Sequence, residues 1–156
     1  MDIAYDDSER AREIADRTRT FVDEVVVPAE RDVLGAGPVS GETVADLREA
    51  AREHGIYGPQ LPEEYGGLGM TYRDMLPVFE AAGRSLLGPM AIRVDAPDEG
   101  NMHTIEMFGT EDQKERWLRP LAAGEIRSGF SMTEPLQGGG SDPKMIETTA
   151  EKDGDE

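Results

Sequence analysis

Over residues 8–34 apolar positions return every three or four residues. Ile14, Thr18, Phe21, Val22, Val25 and Val26 share one broad side, with Arg, Asp and Glu opposite, so the spacing predicts an amphipathic helix. Pro28 falls inside that pattern and is expected to kink or end it. A second helix is expected after Ser40, a hydroxyl N-cap, running through ETVADLREAAREH to a stop at Gly55. GIYGPQLPEEYGGLG holds too many glycines and prolines for a regular element and reads as a loop, with Gly66, Gly67 and Gly69 structural. Thr71 opens a third helix, with Asp74 three positions on as a near capping box and Pro77 near its first turns. A short helix over 101–108 closes at Gly109. Thr110 with Gln113 then forms the clearest capping box, starting a helix whose Trp117, Leu118 and Leu121 should face inward. Pro120 fits no regular reading of that helix.

After Gly124 the periodicity changes, because IRSGFSM and MIETTA have the alternation and β-branched content of strands. The expected fold is mainly α: an all-helical part over 1–126, then the first strands of a truncated β part over 127–156. TAEKDGDE ends on an Asp-Gly hairpin signal with one residue after it, so the returning strand is expected from a longer chain or a partner.

Composition narrows the function classes. The chain has 156 residues, room for one domain and the start of another, and its apolar runs are far shorter than the roughly 20 residues a membrane helix needs. The acidic opening MDIAYDDSER gives no support to a leader, and with no cysteine the expectation is a soluble cytoplasmic protein. Lys and Arg total 16 against 33 Asp and Glu, a formal charge of −17, which would repel nucleic acid. Lys114, Lys144 and Lys152 are the only lysines, which leaves two readings: an ordinary acidic protein, or a surface adapted to a high-salt cytoplasm. His54 and His103 stand apart with no HExxH or cysteine companion, so no metal site is expected; His54 is placed to decorate a helix C-terminus. There is no GxSxG elbow and no Walker loop.

The stretch FSMTEPLQGGGSD, residues 130–142, is different in character. It combines Thr133 and Ser141 hydroxyls with side-chain-free backbone whose N–H groups can turn toward an anion or a polar ring edge. Composition alone also allows a flexible connector.

Several segments, in order, resemble the acyl-CoA dehydrogenase family: LPEEYGGLGMTYRDMLPVFEAAGRS, FGTEDQKERWLRPLAAGEIRSGFSMTEP, GGGSDP and ETTAEKDGDE. APDEGNM with MTEP is most similar to the branch whose animal members act on long-chain or 4-hydroxy acyl-CoA thioesters. The resemblance implies an N-terminal helical domain, a middle β-domain and a C-terminal helical bundle, with FAD between the last two in a homo-oligomer. It implies an acyl-CoA thioester as substrate and an acceptor such as an electron-transfer flavoprotein. Phe130, Met132 and Thr133 match positions that contact the flavin ring. Gly140 and Ser141 match those that reach the cofactor, Ser141 also the pantetheine arm, and Asn101 is carried over as substrate-binding. Residues 135–138 precede Gly139, two more than the compact family pattern has. The family's glutamate base lies in the C-terminal bundle, so no catalytic residue is expected within 1–156. Glu134 is rejected as a stand-in because a turn glutamate before proline caps local amides. Trp117 is expected in the core, where Trp117→Ala would cost about 3–5 kcal/mol, and Met102, Met107 and Phe108 in the core or an acyl pocket.

Three readings follow: the N-terminal part of a flavin-dependent acyl-CoA dehydrogenase, inactive alone; a truncated module that binds a partner or thioester without turnover; and a helical interaction domain that lost its chemistry.

Overall fold

The computed structural model describes residues 6–33, 35, 37–135 and 139–154. Helix α1 (Glu9–Phe21) begins where Ser8 accepts the Ala11 N–H on its hydroxyl at 3.1 Å. It runs into a π-helical turn (Val22–Val26) and emerges as α2 (Val27–Val33). Pro28 therefore does not end the helix. The Val27 N–H reaches back to Val22 O, one residue further than in an α-helix, so the ladder is already widened where the proline ring and its missing donor arrive. The device recurs. Helix α7 (Glu111–Gln113), started by the reciprocal Thr110–Gln113 box, passes through a π turn (Lys114–Leu118) into α8 (Arg119–Ala123), whose second residue is Pro120.

The extra residue of that second turn rotates the face that points inward. Leu118 and Leu121 are buried as expected, but Trp117 is 47% exposed, with the Arg116 guanidinium 4.7 Å from its ring centroid. The core role read for Trp117 is thus corrected. Met102 is fully buried, whereas Met107 and Phe108 are exposed and do not belong to the core.

Helix α3 (Gly41–Glu53) starts on the Ser40 hydroxyl and ends at His54, whose Nδ1 lies 2.7 Å from Ala50 O, as its place in the sequence suggested. Helix α4 (Tyr72–Ala82) is capped by Thr71, and the Asp74 carboxylate accepts both the Thr71 and Ser8 hydroxyls, at 2.9 and 2.8 Å. Asp74 ties the start of α4 to the start of α1, and Arg84 pairs with Asp23 at 3.0 Å near their far ends, so the two helices run side by side in one direction. Pro77 lies inside α4.

Two apolar cores result. The larger gathers Phe21, Val22, Val26, Ile56, Met75 and Val78 from α1, its π turn, α4 and the chain after α3, with α5 (Gly88–Ala91) closing it. The smaller holds Leu61, Met102, Leu118, Leu121 and Ala122, from the glycine-rich loop, α6 (Asp98–Phe108) and the second π helix with α8. In that loop a side chain on Gly67 would come within 2.3 Å of Leu61 O, so only glycine fits.

The joint between the cores is polar. A helix C-terminus leaves its last carbonyls unpaired and carries partial negative charge. At the end of α8 four consecutive carbonyls each receive a side-chain donor from elsewhere. Arg93 donates to Leu121 O at 2.6 Å, Tyr57 to Ala122 O at 2.6 Å, Arg52 to Ala123 O at 2.7 Å and Arg48 to Gly124 O at 3.3 Å.

Beyond Gly124 no strand ladder forms among the described residues. IRSGFSM and MIETTA, read as strands from their alternation, carry no ladder there. The amides of Glu147 and Thr148 bond to the side chain of Glu134 instead of to a neighbouring strand. Gly154 has φ +63°, as the Asp-Gly turn signal implied, and residues 155–156 lie outside the described residues.

Candidate functional site

The chain leaves the helical body at Ser128, and a buried carboxylate fixes that exit. Asp98, on the first turn of α6, is fully buried and accepts the Ser128 N–H at 2.7 Å and its hydroxyl at 2.6 Å. Its other oxygen takes Arg93 Nη1 at 2.7 Å. Arg93 is itself fully buried and has a left-handed backbone, φ +69°. Burial alone would push the Asp98 carboxyl up, but the Ser128 hydroxyl, the Arg93 guanidinium and the Ser128 amide together hold it below the usual carboxylate range. Neighbouring Asp95 has Arg93 at 3.5 Å and Arg127 at 3.3 Å, and there burial wins and raises the carboxyl.

Asn101, one turn along α6, donates Nδ2 to Ser128 Oγ at 2.8 Å and to Gly129 O at 3.2 Å. The residue expected to touch substrate therefore first holds the hinge, which leaves its Oδ1 as the polar group with capacity to spare. The hinge delivers Phe130 to a cavity of about 400 Å³ whose wall also includes Pro97, Gly100, Asn101 and Thr104. So Asn101 and Phe130, widely separated in sequence, share one cavity. Phe130 is 69% exposed at its mouth.

Within the described residues neither the Met132 N–H nor the exposed Thr133 hydroxyl makes a hydrogen bond. Glu134 is the opposite case. Its carboxylate accepts the Gly139 N–H at 3.0 Å, the Glu147 N–H at 3.0 Å, the Thr148 N–H at 2.7 Å and the Thr148 hydroxyl, while its own N–H donates to Gly140 O at 2.8 Å. The Thr148 hydroxyl and these amides lower its pKa to about 2. A carboxylate so supplied with donors is a poor proton acceptor at neutral pH, in keeping with the amide-capping role read from its place before Pro135.

Glycine is required in the loop that Glu134 closes, because a side chain on Gly139 would lie 2.5 Å from Met145 O. Gly140 has φ +56° and open space beside it, and Ser141 is exposed next to it. Leu136, Gln137 and Gly138, in the part of the loop that is longer than the compact pattern, lie outside the described residues.

Arg93 and Asp98 were missed from the sequence. The available signal was IRVDAPDEG, where an arginine between Ile92 and Val94 is followed by two aspartates at short spacing. Charged residues set among apolar ones are buried only when paired. No group of three or more His, Asp or Glu suited to a metal exists among the described residues. No helix among them is long and apolar enough to cross a membrane.

Comparison with known proteins agrees across the chain. The family model "Acyl-CoA dehydrogenase, N-terminal domain" matches residues 8–125. A Mycobacterium tuberculosis protein named for acyl-CoA dehydrogenase, FadE2, is 39% identical over 162 aligned positions, covering 99% of this chain and 38% of that protein. Mouse acyl-CoA dehydrogenase family member 11 is 33% identical over 94% of this chain and 20% of its own length. A solved Mycobacterium abscessus structure described as an acyl-CoA dehydrogenase superposes with a TM-score of 0.73 at 36% identity, covering 85% of this chain and 36% of that one. The chain thus spans between a fifth and two fifths of the length of these relatives.

Proposed function

Since the chain belongs to the acyl-CoA dehydrogenase family, we propose that it is the N-terminal portion of a flavin-dependent α,β-dehydrogenase of acyl-CoA thioesters, inactive by itself. It divides into a helical domain over 1–126 and the opening of a β-domain over 127–156. Bound FAD would supply the hydride acceptor.

The residues fit such a group. The Met132 N–H and Thr133 hydroxyl are unpaired donors, and donors fixed in advance are worth most where negative charge develops, as on a reduced flavin ring. Phe130, Met132 and Thr133 would lie along the ring. Gly140 and Ser141 would meet the cofactor's phosphates, Ser141 also the thioester arm, with Glu134 holding the loop that presents them. The cavity between Asn101 and Phe130 would receive the acyl chain, Asn101 Oδ1 being its polar contact. The proton-abstracting base would come from chain beyond residue 156, and electrons would pass to an acceptor such as an electron-transfer flavoprotein from a homo-oligomeric enzyme.

The observation that carries this reading is the hinge. Asp98 and Asn101 fix Ser128 and Gly129, so that Phe130 reaches the cavity just before the free donors begin. The test compares this chain with a polypeptide of the relatives' full length that contains it. This chain should purify colourless, whereas the longer one should be yellow and bleach with an acyl-CoA. In the longer one Thr133→Ala should weaken FAD binding about tenfold, the effect of a hydrogen bond to a charged group. Unchanged flavin affinity would remove Thr133 from the site.

A further inference from the structure

A groove of about 240 Å³ runs between the C-terminal half of α6 and the helix that begins with α7 and continues through the second π turn, lined by Thr104, Ile105, Phe108, Gly109, Gln113 and Trp117. Phe108, 76% exposed, stands at its edge, and half-exposed Trp117 lies across from it. Gln113 and Trp117, four residues apart, both reach the groove, so a spacing of four keeps one face through this helix. Asp112 and Arg116, one position before each, therefore form an adjoining row. The Arg116 guanidinium lies 4.7 Å from the centroid of the Trp117 ring, which brings it to the groove. The other charges of that helix are satisfied within it: Lys114 pairs with Glu111 at 3.2 Å and Arg119 with Glu115 at 2.7 Å. Asp112 and Arg116 are both exposed, and neither makes an ion pair among the described residues.

We infer that this face is an interface between two copies of the chain. A contact about a twofold axis must be its own complement, because the same patch serves on both sides. This face meets that condition twice. It carries a projecting ring beside an open groove, so each copy can seat its Phe108 in the other's groove against Ile105 and Trp117. It also carries an acid and a base without partners, four residues apart on one helix. When two such helices cross antiparallel about the axis, Asp112 of each falls opposite Arg116 of the other. A tryptophan with an arginine stacked on it is also the composition found at the energetic centre of interfaces. The ring in the groove supplies the affinity, and the reciprocal charges, which stay near water, set the register. Neither the hinge nor the loop closed by Glu134 takes part, so the interface stands or falls independently of the dehydrogenase reading.

The test is sedimentation equilibrium of the chain in roughly 0.15 M salt, where screening over about 8 Å blunts the mutual repulsion of two acidic copies. The unaltered chain should show a monomer–dimer equilibrium. Phe108→Ala, which empties both grooves, should weaken it roughly a hundredfold. Asp112→Arg and Arg116→Asp each set like charges opposite one another at two places, and each alone should weaken self-association about tenfold. Mixed together, these two variants should form a heterodimer as tight as the unaltered dimer, because two arginines then face two aspartates. The mixture carries the same total charge as two unaltered chains, so net charge cannot account for that recovery. A chain still monomeric at about 1 mM would overturn the inference and leave the face to another occupant, such as polypeptide beyond residue 156. Single variants that associate as tightly as the unaltered chain, or a mixture no tighter than its components, would overturn it as well. Phe108→Ala keeps the inference falsifiable even if a charge variant fails to fold.

Discussion

Asp98 and Glu134 do the same job in two different settings. Each carboxylate collects backbone N–H and a hydroxyl from chain further on: Asp98 one amide and the hydroxyl of Ser128, Glu134 the amides of Gly139, Glu147 and Thr148 with the Thr148 hydroxyl. Asp98 does so fully buried against Arg93, between two apolar cores, whereas Glu134 does so in the open, with no core around it. The difference teaches where stability resides. A buried charge is costly unless paired, so the Arg93–Asp98 pair is coupled to the folding of the whole body. An exposed carboxylate is screened by water, so the Glu134 contacts order one loop without adding much to the whole.

The comparison can be broken at several points. Arg93→Leu would leave the buried Asp98 with only the half-exposed Arg127, at 3.5 Å, as counter-ion and would take the side-chain donor from Leu121 O, and should cost about 3–5 kcal/mol in urea unfolding. A loss under about 1 kcal/mol would mean that the pair is not the anchor claimed here. Asp98→Asn keeps the shape but removes the charge facing Arg93, with an expected loss of about 2–3 kcal/mol in the same measurement. Ser128→Ala, which removes one hydroxyl bonded to both Asp98 and Asn101, should cost about 1 kcal/mol and speed amide exchange at residue 129. Glu134→Gln should leave the unfolding midpoint unchanged yet accelerate exchange at Gly139, Glu147 and Thr148; a lowered midpoint would place the loop inside the cooperative unit.

Acid gives the gentlest version. The Glu134 pKa is depressed to about 2 from the ordinary glutamate value of 4.5, so its contribution is present above about 4.5 and is lost as pH falls through about 2. The Thr148 amide signal, followed by NMR as pH is lowered, should therefore keep its bonded position well below the ordinary glutamate range. Movement centred near the ordinary value would show that the donors are not engaged in solution.

Much of the body could be read from local chemistry. Ser8, Ser40, Thr71 and Thr110 each cap the helix their position announced, because a cap needs only a hydroxyl and an amide two or three residues on. Glu134 was legible as an amide cap for the same local reason. Hidden from view were features that depend on a change of period or on distant partners. Trp117 was placed inward by a 3.6-residue count that the π turn interrupts, although Pro28 and Pro120, each just past such a turn, were the visible trace of it. Arg93 could not be placed because its partners include a carbonyl of α8, that of Leu121, 28 residues away. Alternation alone suggested strands after Gly124, but it identifies extended chain only, not the neighbour that would make a ladder.

The four donors gathered at the end of α8 come from the third helix, the segment after it and the turn before α6, so no single part of the body can loosen in isolation. Withdrawing that helix terminus would break one hydrogen bond of each of Arg48, Tyr57, Arg52 and Arg93 together. Such a joint should open all at once, so the two cores on either side of it are expected to melt in a single transition by calorimetry.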